Sequence, residues 1–292
     1  MPYKPATILA SQTRLMKSKF TKRQYRISIA LPYAYYELPG ASWPFDKPLK
    51  KWPVVYLTDA NYYFGLVTDM VRVMAWCGKP TDAIIVGIGY KEQSVPQKAW
   101  QDSIAWRESD FTPVRVESEE KETGEWLQRR VVTGGAPQFL QFIKQELIPT
   151  LEGEFSADPN RRVLVGHSLG GLFATFALFA EPGLFESYII GSPALGYGEK
   201  FVFKQEAQFA QEHKELAARV HLWIGELEEP ADNTNNVSVS DTVRFGAVLE
   251  SRKYKGLTLA KQIFANENHC EVLAPGFQAG LKWVLEKRDE EE

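Results

Sequence analysis

The residues Gly166-His167-Ser168-Leu169-Gly170 form a G-x-S-x-G pattern, and Gly171 follows at once. At that spacing a serine can sit on a sharp turn between strand and helix. The flanking glycines let neighbouring backbone pack close, and the hydroxyl stands clear. Such a hydroxyl attacks acyl carbon once a base takes its proton and a carboxylate orients the base. The bare pattern is weak evidence, and its context sharpens it. The apolar run Val163-Leu164-Val165 leads into it, and the helical, small-residue segment GLFATFALFA follows. The N-terminus of that helix favours developing negative charge.

Chemistry of this kind runs in the chain order Ser, acid, His. Of the four histidines, His167 is part of the turn itself. His213 lies in the charged stretch EAQFAQEHKEL and reads as solvated, and His221 begins a strand and reads as core or edge. His269 follows LAKQIFA and precedes the last helix, so it is expected in a loop at the carboxyl end of a late strand, as the base. The acid should follow the strand VHLWIG, which leaves Glu226, Glu228, Glu229 and Asp232. Spacing from the strand-ending Gly225 points to Glu228, with Glu226 next. A tetrahedral oxyanion needs two backbone N–H donors. One is expected from Leu169 and the other from the loop Thr58-Asp59-Ala60-Asn61.

These residues need a scaffold that ends several strands at one edge. Alternating or continuous apolar runs predict strands over 25–31, 52–57, 83–88, 162–165, 188–191, 220–225 and 259–265. Helical spacing predicts helices over 64–77, 139–152 (interrupted at Pro149), 170–180, 204–216, 242–253 and 275–287. Segment 33–51 reads as a loop. Segment 92–134 is polar, aromatic-spotted and irregular, and a stretch that long is expected to be a lid-like insertion. Strands alternating with helices imply an α/β fold: a mostly parallel central sheet with helices on both faces, in one domain over 1–292. Function in such a sheet sits at the carboxyl ends of the strands.

Composition excludes several classes. The chain has 292 residues, 44% hydrophobic and 24% charged, with a net charge of −3. It lacks the basic excess of a nucleic-acid surface, and it has no apolar run long enough to span a membrane. Cys77 and Cys270 are too few for a disulfide scaffold or a thiolate metal site and read as free thiols. The first residues hold no apolar stretch of signal-peptide length. The expectation is a cytoplasmic protein with a small-molecule ester as partner, no nucleic acid, no membrane and no metal or organic cofactor.

Several motifs stand in order along the chain. They are Pro53-Val54-Val55-Tyr56-Leu57-Thr58-Asp59-Ala60, Gly87-Ile88-Gly89-Tyr90, Arg107-x-x-Asp110-Phe111-Thr112-Pro113, Gly134-Gly135-Ala136, the serine turn, Ser192-Pro193 and Asn268-His269. From about Tyr25 to Trp283 the sequence resembles the putative-esterase (esterase D-like) family of α/β-hydrolases, in the branch containing bacterial trilactone-siderophore esterases. The resemblance implies the α/β-hydrolase fold and a serine esterase working through Ser168, His269 and Glu228. It also implies Asn61 as the second oxyanion donor beside Leu169, although Ala60 replaces the family's usual glycine.

Expected substrates are short-chain or aryl and polar esters, siderophore-type lactones among them. Asp59, Tyr62, Trp106 and Arg107 are the expected substrate contacts, with Trp100, Trp106 and Trp126 overhanging the site and Arg107, Arg129 and Arg130 supplying positive charge. Arg107 also has a structural reading, as the partner of Asp110. The alternatives are an acyltransferase or thioesterase with the same triad, or an inactive α/β-hydrolase that binds.

Overall fold

The computed structural model describes residues 7–36, 51–78, 82–91, 96–229 and 236–286. Eight strands are found among them: β1 (Ser11–Lys17), β2 (Gln24–Ala30), β3 (Trp52–Leu57), β4 (Ile84–Tyr90), β5 (Ala157–His167), β6 (Ser187–Gly191), β7 (Glu215–Gly225) and β8 (Lys255–Phe264). They form one sheet in the order β1-β2-β4-β3-β5-β6-β7-β8. β1 pairs antiparallel with β2, and β2 with β4; every pairing from β4 to β8 is parallel. The inner strands β3 and β4 are buried along their whole length, as their unbroken apolar runs require. This is an α/β-hydrolase sheet.

Period-two alternation along β3 divides the core. Val55 and Leu57 face the side covered by α1 (Ala60–Trp76) and α9 (Leu273–Val284). Val54 and Tyr56 face the other side, where Phe139 of α4 (Ala136–Phe142) and Phe173 of α6 (Leu169–Ala180) pack. That side also carries α5 (Ile148–Glu154), α7 (Tyr197–Glu212) and α8 (Val239–Arg252).

Register aligns the strand ends. His167 pairs with Gly191, Gly191 with Trp223, and Gly225 with Phe264, so the loops after β5, β6, β7 and β8 open at one edge. The turn after β3 joins them, since the Thr58 N–H donates to the Val165 carbonyl at 3.0 Å.

Four readings need correction. β1 was not expected, because SQTRLMK is polar and this edge strand stays largely exposed. Segment 92–134 is not irregular: it holds α2 (Pro96–Phe111) and α3 (Glu117–Leu127). The helix expected over 139–152 splits into α4 and α5 around a π-helical turn at Ile143–Leu147. Pro149 has no N–H to continue the ladder, and a wider turn before it absorbs the break. Finally, α7 ends at Glu212 and β7 starts at Glu215, so the end of the helix expected over 204–216 is strand. Parts of the predicted 33–51 loop, the alternative acid Asp232 and the last residue of the 275–287 helix lie outside the described residues.

Candidate active site

Ser168 sits between β5 and α6 with φ 59 and ψ −121, a backbone conformation L-residues rarely adopt. The surroundings over-determine it. Its N–H donates to the Gly191 carbonyl at 3.0 Å, and its own carbonyl accepts from Leu172 at 2.9 Å and Ala194 at 3.2 Å. Two glycines permit the turn sterically. A Cβ on Gly166 would run into the Gly170 carbonyl, and one on Gly170 would stand 2.5 Å from Thr58 Oγ1.

Glu228, in the loop after β7, is buried. Its Oε1 accepts from Ser192 Oγ at 2.7 Å and the Gly225 N–H at 2.8 Å, and its Oε2 meets His269 Nδ1 at 2.5 Å. The carboxylate is thus fixed by three partners, and the contact favours a proton on Nδ1, leaving Nε2 free to accept. Glu226 takes a different place. It is exposed, and its Oε2 accepts the Asn266 N–H at 2.9 Å, bracing the histidine loop from outside. Main-chain bonds tie the two loops together, from Leu227 N–H to the Glu267 carbonyl at 3.0 Å and from Glu226 N–H to the Phe264 carbonyl at 2.9 Å.

His167 packs beneath His269, with ring centroids 4.4 Å apart, and stacks on Trp223. Burial, with His269 and Arg107 adding to it, holds its imidazole well below the usual range. It is a neutral spacer under the His269 ring.

Leu169 opens α6, and Asn61 is the second residue of α1. N–H groups in a helix's first turn have no intrahelical acceptor and can serve an anion. The Asn61 side chain is already engaged: Nδ2 donates to the Tyr90 carbonyl at 3.0 Å, and Oδ1 accepts the Tyr90 N–H at 2.6 Å. Only its main chain can face an oxyanion. Asp59 before it takes the left-handed conformation at φ 52.

Ser168, Leu169 and His269 line a cavity of about 450 Å³, together with Arg107 and Glu108 of α2 and Glu119, Glu122 and Trp126 of α3. Among the described residues no hydrogen bond joins Ser168 Oγ to the imidazole. In unliganded enzymes such contacts commonly tighten only when substrate binds.

The expected substrate contacts separate. Arg107 reaches the cavity, but its guanidinium is engaged by Asp59, Nε to Oδ1 and Nη2 to Oδ2, both 3.0 Å. The expected Arg107–Asp110 pair does not form. Asp110 instead turns to the core, where Arg23 and the Tyr25 hydroxyl donate to it. Arg129 is likewise engaged, by Asp102. Tyr62 shares a 2.6 Å hydrogen bond with Ser103, and Trp106 packs against Tyr90; neither lines the cavity. Sequence reasoning missed Glu108, Glu119 and Glu122. The helical spacing of Glu119, Glu122 and Trp126 would have shown them sharing a face, had the segment been read as a helix.

Known proteins resemble the chain over most of its length. The model of the family described as "Putative esterase" matches residues 18–279. The chain is 31% identical to the ferri-bacillibactin esterase BesA of Bacillus subtilis, covering 96% of this chain and 91% of that one. It is 26% identical to the apo-salmochelin esterase of Escherichia coli, covering 90% and 74%. The crystal structure of the BES protein from Bacillus cereus superposes with a TM-score of 0.77 at 27% identity, covering 97% and 98%.

Proposed function

Because the chain belongs to the putative esterase family and is a carboxylic ester hydrolase, we propose that it works through an acyl-enzyme on Ser168. The observation that carries this is the Glu228–His269 contact at the wall of the cavity that Ser168 also lines. Rotation of the serine side chain brings Oγ to His269 Nε2. Oγ attacks the ester carbonyl carbon while its proton passes to Nε2. Glu228 holds the Nδ1 proton and stabilises the imidazolium. The N–H groups of Leu169 and Asn61 receive the oxyanion. Collapse of the tetrahedral species expels the alcohol, which takes the Nε2 proton. Water then repeats the sequence on the acyl-enzyme and frees the acid.

The substrates proposed are polar or aryl esters, with siderophore-type lactones first among them, on the strength of the similarity to siderophore esterases. The segment containing α2 and α3 acts as the lid, since both helices supply cavity wall. Stoichiometric labelling by a fluorophosphonate, located at Ser168 by mass spectrometry, is the expected result. An unlabelled but folded protein would remove the acyl-enzyme.

A further inference from the structure

β6 ends at Gly191, and the turn after it carries the motif Ser192-Pro193, to which the mechanism gives no part. This turn touches two members of the triad at once. The Gly191 carbonyl accepts the Ser168 N–H at 3.0 Å, and the Ala194 N–H donates to the Ser168 carbonyl at 3.2 Å. Between them, Ser192 Oγ donates to Glu228 Oε1 at 2.7 Å. One short turn thus fixes the backbone of the nucleophile and the carboxylate of the acid together.

The second observation is strain. Ser192 is fully buried, and its φ of 37 lies in the left-handed region that glycine enters freely and a side chain resists. Its N–H donates to the Trp223 carbonyl at 2.7 Å, which holds the turn in that shape. A glycine would make the same main-chain bond without the strain. What glycine lacks is the hydroxyl, so the hydroxyl accounts for a side chain at this position.

That hydroxyl has one proton, and an ionised carboxylate only accepts. Ser192 Oγ and the Gly225 N–H, at 2.8 Å, both end on Oε1, which leaves Oε2 facing His269 Nδ1. Without Ser192, Oε1 would rest on the Gly225 N–H alone. The last torsion of a glutamate side chain is soft, so the carboxylate would then be free to turn away from the imidazole.

We propose that Ser192 is a positioning residue for ester hydrolysis: by holding Glu228 Oε1 it sets the orientation in which Oε2 supports the His269 ring. It does not line the cavity, so it acts only through Glu228. This rests on the reading of Ser168, His269 and Glu228 as a triad and adds a fourth side chain to it.

Ser192→Ala and Ser192→Gly test it beside Glu228→Gln, with p-nitrophenyl butyrate as substrate. Each Ser192 variant should lower kcat by about tenfold to a hundredfold with KM nearly unchanged, since a hydrogen bond to a charged group is lost away from the substrate. Ser192→Gly should melt no lower than Ser192→Ala, because it sheds the left-handed strain, and should still be as slow. In the Glu228→Gln background, Ser192→Ala should cost less than about threefold, because the two residues act as one unit. A glycine variant at the wild-type rate would leave Ser192 a purely structural residue and overturn the inference. An equal cost of Ser192→Ala in both backgrounds overturns it too. If Ser168 labels with a fluorophosphonate and Glu228→Gln is slow while both Ser192 variants keep the wild-type kcat, the inference fails alone. If Glu228→Gln itself turns over near the wild-type rate, the triad reading fails and takes the inference with it.

Discussion

Arg107 on α2 grips both carboxylate oxygens of Asp59, the left-handed residue just before α1, at 3.0 Å each. The pair links the helix that walls the cavity to the backbone turn that presents the Asn61 N–H. Asp59 is 2% exposed, so removing its partner strands a buried charge. Arg107→Ala should cost about 3 kcal/mol of stability. Arg107→Lys keeps the charge but loses the planar fork. It should lower kcat roughly tenfold with KM nearly unchanged, because the turn, not substrate binding, is disturbed. Thermal melts and steady-state kinetics read both effects. An Arg107→Lys enzyme altered only in KM would make Arg107 a substrate contact instead.

Ser168→Ala should abolish fluorophosphonate labelling and lower kcat by about 10⁴-fold or more, since losing one member of a triad costs nearly as much as losing several. The fold should persist, and relief of a left-handed serine is not expected, because alanine inherits the same φ and ψ. Measured turnover in the purified variant near the wild-type rate would end the assignment of the nucleophile.

The two loop glutamates should behave differently. Glu228→Gln removes the charge facing His269 Nδ1 and should slow turnover by about 10³- to 10⁴-fold without unfolding the protein. Glu226→Gln only weakens an exposed brace on Asn266 and should stay within about tenfold of wild type. The reverse ranking of kcat would show that Glu226, not Glu228, supports the base.

Much of this arrangement was legible because it rests on local sterics and chain order. The serine turn is announced by Gly166 and Gly170, where a side chain has no room. Glu228 follows the apolar end of β7, and His269 follows the strand β8 that precedes the last helix. The helices α2 and α3 were not legible for an equally physical reason. The buried side of α2 carries Asp102, Ser103 and Asp110, so no apolar period appears. Asp102 and Asp110 are satisfied by Arg129 and by Arg23 with Tyr25, partners that only the fold brings near. α3 buries Leu127 alone and turns its acidic side to the cavity, which reads in sequence as a solvated charge run. The misplacement of Trp106 and Tyr62 has the same origin, since both depend on where α2 lies.

Glu108 makes the pH dependence specific. Its carboxyl is raised to about 7 by burial, opposed by Arg107 and reinforced by Glu119; Tyr197 and His269 also line the cavity around it. In the unfolded chain a glutamate titrates near about 4.3. Between those values the folded protein holds a proton that the unfolded chain has lost, so stability falls as pH rises through this window and levels off above about 7. Glu108→Gln has no such loss. Its melting temperature should match wild type near pH 4 and exceed it near pH 8. Parallel stability curves for the two proteins between about pH 4 and 8 would show that Glu108 is already ionised across this range and that its environment does not resist the charge.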